Sequence, residues 1–144
     1  MRSFDEDEAY LDCYDAMNEG RYYVTYTIFN KITGKVYSGM THGYGSEPPQ
    51  EAVRTRYKEH KRWRMTPEKG WEPAVLDQCS TSKSAILGRE RMLILFYRNK
   101  GLAASENQNL PLHPQSAPAF INRALKLFGP LPEEGVHRPL AVEE

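Results

Sequence analysis

The sequence lacks long apolar runs and is poor in cysteine. No stretch approaches the roughly 20 apolar residues that cross a bilayer, and the first residues do not combine a basic region with an apolar segment of signal-peptide length. Cys13 and Cys79 lie far apart without CxxC spacing, which argues against a disulfide framework or a zinc site. We therefore expect a protein made in the cytoplasm, without a signal peptide or a membrane partner, and with two buried free thiols.

The chain also lacks a net charge, because 19 basic residues balance 19 acidic ones. The two signs are segregated along the chain: residues 1–20 hold one basic and seven acidic residues, 21–100 hold fifteen and seven, and 101–144 hold three and five. Local charge, rather than total charge, meets a phosphate backbone. The middle segment is therefore the candidate polyanion-binding region, although charge alone favours a plain solvated face just as well.

The order of patterns along the chain predicts one α+β domain. Strand-forming residues over 22–39, with a turn at Thr33-Gly34, indicate a β-hairpin, and 72–80 suits one further strand. Apolar spacing favours helices over 51–63, 82–101 and 116–128, whereas the Gly- and Pro-rich 41–50 and the polar 102–115 are expected to be loops. The expected fold is a small, mainly antiparallel three-stranded sheet, the hairpin plus one strand, flanked by helices.

This domain is expected to have additions at both ends. Residues 1–20 predict an acidic helix, with Ser3 in capping-box spacing to Glu6, that packs on the domain core at 21–110. Plain structural cover is the favoured role of this helix, and competition with nucleic acid for the basic face is the alternative. A C-terminal helix within 111–130 and an extended tail over 131–144 complete the organisation.

Five residues could carry chemistry, and each has an ordinary structural interpretation by itself. Tyr26 and Tyr37 are strand formers, and such tyrosines usually pack. Arg56 and His60 lie one turn apart on the same face of the predicted helix 51–63, where such residues are usually solvated. Glu90 could simply form an ion pair with a neighbouring arginine at the helix surface. Together, however, the five residues favour a functional site over five separate structural roles.

The stretch YTIFNKITGKVYSG resembles the opening of the GIY-YIG nuclease superfamily, in which a tyrosine-bearing strand turns through a polar loop into a second tyrosine and a glycine. Here Val24-Thr25-Tyr26 departs from Gly-Ile-Tyr at its first two positions. The second tripeptide, Tyr37-Ser38-Gly39, departs only at its middle position. Both tyrosines and the final glycine are therefore present, and the resemblance implies the fold of that superfamily over about residues 22–109.

The later elements of the family pattern also have matches in this chain. The family's helical arginine and the histidine four residues later match Arg56 and His60, with Arg54 as the second candidate for the arginine. Its metal-binding glutamate matches Glu90, in E-x-x-L-I form at the head of an apolar helix. Its later asparagine matches Asn107, or secondarily Asn109. The sequence segments TGKVYSGMTHGYG, GRE and ALKLFG are also similar to nuclease domains of bacterial polymorphic toxins.

The resemblance implies metal-dependent phosphodiester hydrolysis, most plausibly of DNA. Glu90 would hold one Mg²⁺ or Mn²⁺ ion. Asn107 would either orient the groups at the metal-binding end of the site or cap its own loop. Tyr26 or Tyr37 would orient or deprotonate the attacking water, with His60 taking the proton onward. This role requires the tyrosine pKa to be depressed from about 10, and Arg56 is the expected cause.

Further basic residues on the same helix are expected to bind backbone phosphates, with low sequence specificity. Trp63 and Trp71 could stack on bases, although core packing is the favoured interpretation of both. The toxin resemblance also implies delivery into a target cell and a cognate immunity protein as partner. The predicted phosphate-binding residues are Arg54, Lys58, Lys61, Arg62 and Arg64.

Two other classes of function stay open at this stage. A nucleic-acid-binding module that has lost catalysis would explain the altered first tripeptide, and metal-dependent cleavage would separate it from a nuclease. An interaction protein, such as an immunity or adaptor domain, would use the charge segregation for a protein partner and would show no salt-dependent phosphate affinity.

Overall fold

The structure is a computed structural model, and it describes residues 4–16, 20–107, 114–133 and 135. The predicted helix cap at Ser3, the alternative Asn109 and most of the tail lie outside these residues. Seven elements follow one another along the chain, with single 3-10 turns at Pro67–Lys69 and Ser105–Asn107. The elements are α1 (Phe4–Ala16), β1 (Arg21–Phe29), β2 (Val36–Tyr44), α2 (Pro49–Trp63), β3 (Val75–Ser80), α3 (Lys83–Asn99) and α4 (Ala117–Phe128).

The sheet has three antiparallel strands in the order β2-β1-β3. β1 and β2 form the hairpin, with Phe29 paired to Val36 and Arg21 paired to Tyr44. β3 adds to the other side of β1, where a register shift between Thr25 and Tyr26 marks a bulge. The predicted α+β class and the three-stranded antiparallel sheet flanked by helices are therefore confirmed.

Alternation along β1 divides the core between the two faces of the sheet. Val24, Tyr26 and Ile28 point towards α2 and pack in a buried cluster that includes Trp71. Because Trp71 is only 7% exposed, the core-packing interpretation holds for it, and it is no stacking platform. The side chain of Trp63 lies outside what the structure describes.

The opposite face of the sheet carries α3, which α4 crosses very closely. A Cβ atom added at Gly88 of α3 would lie 2.0 Å from the backbone oxygen of Phe120, so only glycine permits this crossing. Phe120 in turn packs against Leu11 of α1. The buried Arg89 of α3 forms a bidentate ion pair with Asp77 of β3, which ties this layer to the sheet.

The acidic helix α1 lies against α3 and α4, away from the basic helix α2. Glu8 pairs with Arg123 and with Lys126 of α4 at 2.8 and 2.9 Å. Asp15 accepts a hydrogen bond from the Ser84 backbone N–H in the first turn of α3, where a carboxylate also favours the helix dipole. The described residues 4–16 therefore pack as a cover on α3 and α4, which agrees with the favoured interpretation of this helix.

The prediction that residues 41–50 form a loop is wrong for its first part, because β2 continues to Tyr44. Glycine within 41–44 suggested a break, but Gly43 lies directly opposite Tyr22 in the register. A Cβ atom at Gly43 would lie 2.2 Å from the Tyr22 hydroxyl. The glycine therefore makes room for a cross-strand aromatic ring, and the loop begins only at Gly45.

The expectation of two buried thiols is also wrong, since both Cys13 and Cys79 are exposed. Cys79 lies on β3, an edge strand of the sheet, and Cys13 lies on the outward side of α1. Across the described ranges, none of the helices combines the length and the apolar composition that crossing a bilayer requires.

Candidate active site

Two tyrosines meet across the hairpin because a glycine stands opposite one of them. Tyr26 pairs with Gly39 in the β1–β2 register, and its ring centroid lies 6.3 Å from that of Tyr37. A Cβ atom at Gly39 would lie 2.7 Å from the Tyr26 hydroxyl oxygen and 2.9 Å from Cε2 of Tyr37. Gly39 is therefore a steric requirement for the tyrosine pair.

The helix α2 brings an imidazole and a guanidinium to these tyrosines. Nε2 of His60 lies 2.8 Å from the Tyr26 hydroxyl oxygen, and the imidazole meets the Tyr37 ring edge-on at 5.0 Å. Arg56, one turn earlier, contacts Glu59 at 2.9 Å. An open cleft of about 540 Å³ is lined by Tyr37, Arg56, Glu59, His60 and Arg64.

The charge of Glu90, on α3, acts on Tyr26 and Tyr37, although Glu90 does not line the cleft, and its carboxyl is largely buried. Burial raises its pKa from 4.5 to about 7, and the charge of Arg56 opposes that rise. The alternative interpretation, an ion pair with Arg89 or Arg91, is not seen for Arg89, because Arg89 is bound to Asp77. Within the part of the chain that the structure describes, Glu90 makes no hydrogen bond or ion pair. The family pattern heads a helix with this residue, whereas here it lies in the middle of α3.

The predicted depression of the tyrosine pKa is wrong in direction. Burial raises the pKa of Tyr26 and of Tyr37 above the ordinary value, and Arg56 offsets only part of the rise. Burial also lowers the pKa of His60, and the charge of Arg56 lowers it further. At neutral pH both tyrosines therefore keep their protons, and Nε2 of the neutral imidazole accepts from Tyr26 when the ring proton is on Nδ1.

Asn107 lies beside the site, but both ends of its side-chain amide are already used. Oδ1 accepts from the Ser38 backbone N–H at 2.8 Å, and Nδ2 donates to the Ser38 backbone oxygen at 3.0 Å. Two residues earlier, the Val36 backbone pairs with Leu102 and Ala104. The segment 102–107 thus fastens β2 on both sides of Tyr37. Of the two predicted roles for Asn107, the geometry supports holding the backbone.

We expect the Asn107→Ala substitution to lower the free energy of unfolding by about 2–4 kcal/mol, because it leaves the buried backbone groups of Ser38 without partners. Urea denaturation measures this loss. Ser105→Ala, two residues away on the exposed side of the same turn, is the control and should change stability by less than about 0.5 kcal/mol. Equal stabilities for the two variants would contradict the backbone-holding role.

The predicted phosphate-binding residues do not form one surface. Arg64 lines the cleft itself, and Lys58 and Arg62 line a neighbouring hollow that shares Arg56 and Glu59 with the cleft. Arg54 pairs with Glu51 and lines a groove with Tyr57 on another side of α2. Lys61 is exposed. Arg54 is therefore placed away from the tyrosines, which favours Arg56 as the arginine of the site.

Sequence analysis did not identify two carboxylates that lie near the cleft. Glu59 lines it beside Arg56, and Glu106 is close enough for its charge to raise the pKa of Tyr37 and of His60. The spacing of Glu59 next to His60 on a helix was visible in the sequence. The position of Glu106 was not, because it depends on the segment 102–107 folding back along β2.

The donor set fits a divalent cation held by one carboxylate. Within the described ranges, no group of three or more His, Cys, Asp or Glu side chains could hold a metal ion together. Mg²⁺ is nevertheless commonly bound through one or two carboxylates, with water and substrate phosphate completing its shell. Glu90 suits that role, because its buried carboxyl has no cationic partner in contact and a cation would offset the cost of ionising it.

Comparisons of this chain with family models, with curated proteins and with solved structures found no match. The resemblance to the GIY-YIG superfamily therefore stays a prediction. Function has to be inferred from the geometry of the cleft.

Proposed function

We propose that the chain is a metal-dependent endonuclease of GIY-YIG type that hydrolyses phosphodiester bonds, with DNA as the preferred substrate. One observation carries the proposal: the hydrogen bond between Tyr26 and His60 lies beside Tyr37, within range of the charge of a buried carboxyl, Glu90, that has no partner in contact. Hydrolysis of a phosphodiester needs a proton acceptor, a positive group for the phosphoryl oxygens and a metal ligand. His60, Arg56 and Glu90 are the candidates for these three roles.

His60 is the proton acceptor in this mechanism. Its lowered pKa keeps the imidazole neutral at pH 7, so a ring nitrogen is available to take a proton from the attacking water. The Tyr26 hydroxyl, 2.8 Å from Nε2, can pass that proton on by donating its own to the imidazole and receiving the proton of the water. The tyrosine then ends the step protonated, as its raised pKa requires.

Arg56 and Tyr37 bind the phosphoryl group. The Arg56 side chain is 44% exposed, and its guanidinium carries a fixed charge for the nonbridging oxygens. The Tyr37 hydroxyl, which burial keeps protonated, donates a hydrogen bond to the same group. Glu90 would hold Mg²⁺ or Mn²⁺, and the ion when bound supplies charge stabilisation to the oxygens on which negative charge develops.

The experiment incubates the purified protein with supercoiled plasmid in Mg²⁺ or in EDTA, alongside Glu90→Ala and Tyr37→Phe. We expect loss of supercoils only for the wild type in Mg²⁺. Intact plasmid and intact RNA in every lane, with salt-dependent binding retained, would favour a nucleic-acid-binding module instead. Absence of any phosphate affinity would favour a protein-interaction domain.

We further propose that the nuclease acts as an antibacterial effector that a cognate immunity protein neutralises. The support is the resemblance to toxin nuclease domains together with an open cleft that a partner could cover. In bacteria that lack such a partner, the wild type should reduce colony counts by orders of magnitude, whereas Glu90→Ala should not. Equal toxicity of the two would count against this role.

A further inference from the structure

A second aromatic and basic cluster lies at the far end of the hairpin from the tyrosine pair. Arg21 and Tyr44 are directly paired across the strands, and His42 is paired with Tyr23. Since Tyr44 and His42 are two residues apart on β2, they share one face of the sheet. Tyr44 ends β2 seven residues after Tyr37, which places the two tyrosines about 23 Å apart along the strand.

The ring of Tyr44 is exposed and lies beside a guanidinium and an imidazole rather than apolar side chains. The Arg21 guanidinium lies over the ring at 5.2 Å from its centroid. The His42 imidazole meets it at right angles at 5.2 Å, with Nε2 3.2 Å from the hydroxyl oxygen. Tyr44 is 56% exposed and joins none of the apolar clusters among the described residues. A strand tyrosine with a purely structural role would be expected to pack against such a cluster.

Asp12 and Asp15 line the hollow beside Arg21, whereas the charges that act on His42 are mostly positive. Its pKa is lowered by burial and then by the charges of Arg21, Lys83 and Arg56, against an opposite effect of Glu47. An exposed ring with a guanidinium over it matches the chemistry of a nucleobase attached to a phosphate backbone.

We propose that Arg21, His42 and Tyr44 form a subsite for an unpaired base of the nucleic-acid substrate. The base stacks on the exposed ring of Tyr44, and Arg21 holds the adjoining phosphate. The inference rests on the proposed nuclease function and adds the substrate class to it. Because Tyr37 and Tyr44 are seven residues apart on β2, their side chains lie on opposite faces of the sheet. A flexible single strand would therefore pass around the β2 edge of the sheet to place its scissile phosphate at Tyr37 and a base at Tyr44. Substrates with a single-stranded segment are therefore preferred over a fully paired duplex.

The test measures binding of a fluorescein-labelled single-stranded oligonucleotide, and of its duplex, by fluorescence anisotropy. Every protein carries Glu90→Gln, so that cleavage does not occur. Because each base stacked on an aromatic ring contributes about 1–3 kcal/mol, Tyr44→Ala should weaken single-strand binding by about 5-fold or more. Tyr44→Phe keeps the ring and should stay within about twofold of the parent. Ile32→Ala removes an exposed apolar side chain elsewhere on the hairpin and should change nothing.

Two results would overturn the subsite. Either Tyr44→Ala binds single strands as tightly as Tyr44→Phe, or it weakens duplex and single-strand binding equally. Cleavage assays keep this inference separate from the nuclease proposal. A protein that cleaves plasmid but shows no effect of Tyr44→Ala has no base subsite there. A protein that loses single-strand affinity with Tyr44→Ala, but never cleaves with any metal, has the subsite and is no nuclease.

Discussion

In the His60→Ala variant, plasmid cleavage should fall about 10²- to 10⁴-fold, which is the usual contribution of a general base. The Tyr26→Phe variant should lose about 10²-fold, because its hydroxyl no longer passes a proton to Nε2. Combining the two should cost no more than His60→Ala alone, since the two groups act as one unit. Single-turnover rates at saturating Mg²⁺ provide the measurement.

The control for this pair is Tyr57→Phe, which removes a hydroxyl from the same helix outside the cleft. Its turnover should stay near that of the wild type. If the losses from His60→Ala and Tyr26→Phe multiply in the double variant, the two residues act independently and the relay is absent. If His60→Ala has no effect, the imidazole is not the proton acceptor.

A second large effect concerns stability, because the Glu90→Gln protein should be more stable than the wild type above pH 7. Burial raises the pKa of Glu90 from 4.5 in the unfolded chain to about 7 in the folded protein. As the pH rises across this window, the unfolded chain ionises while the folded protein keeps its proton, so the wild type loses stability. A shift of this size amounts to at most about 3 kcal/mol. Glutamine does not ionise and escapes this loss.

Urea denaturation in EDTA at pH 4.5 and at pH 8.5 measures the difference. The two proteins should unfold at similar urea concentrations at pH 4.5 and should differ at pH 8.5. Glu68→Gln, at an exposed position of a 3-10 turn, should behave as the wild type at both. Mg²⁺ at pH 8.5 should then stabilise the wild type but not Glu90→Gln, since it binds only the folded carboxylate. A constant difference across pH would mean that Glu90 ionises freely.

The fold class was predictable because the strand and helix patterns agree with the packing that each element needs. The apolar spacing of 82–101 and 116–128 corresponds to α3 and α4, and β-branched and aromatic residues mark β1. The end of β2 was not predictable from local propensity. Gly43 is unfavourable in a strand by itself, and it is required there only because the Tyr22 ring lies across it.

The site was predictable as a set of residues but not in its chemistry. Sequence spacing placed Arg56 and His60 on one face of α2, and the hairpin register brought Tyr26 near Tyr37. The sign of the tyrosine pKa shift depends on burial against the charge of Arg56, and burial cannot be read from spacing. The use of both amide ends of Asn107 depends on a contact with Ser38, 69 residues away.

The pairing of a tyrosine with a glycine across the hairpin also limits how this chain can diverge. At the centre of the site the register demands only a ring at position 26 and the missing side chain of Gly39. Val24 serves the core, and Thr25 bonds Asp77 on the other face of the sheet. Relatives could therefore exchange the residues at 24 and 25 together with their own neighbours and keep the site. Any larger residue at 39 would have to arise together with a smaller one at 26. Distant relatives of this chain should accordingly share a cross-strand tyrosine and glycine before they share a recognisable tripeptide.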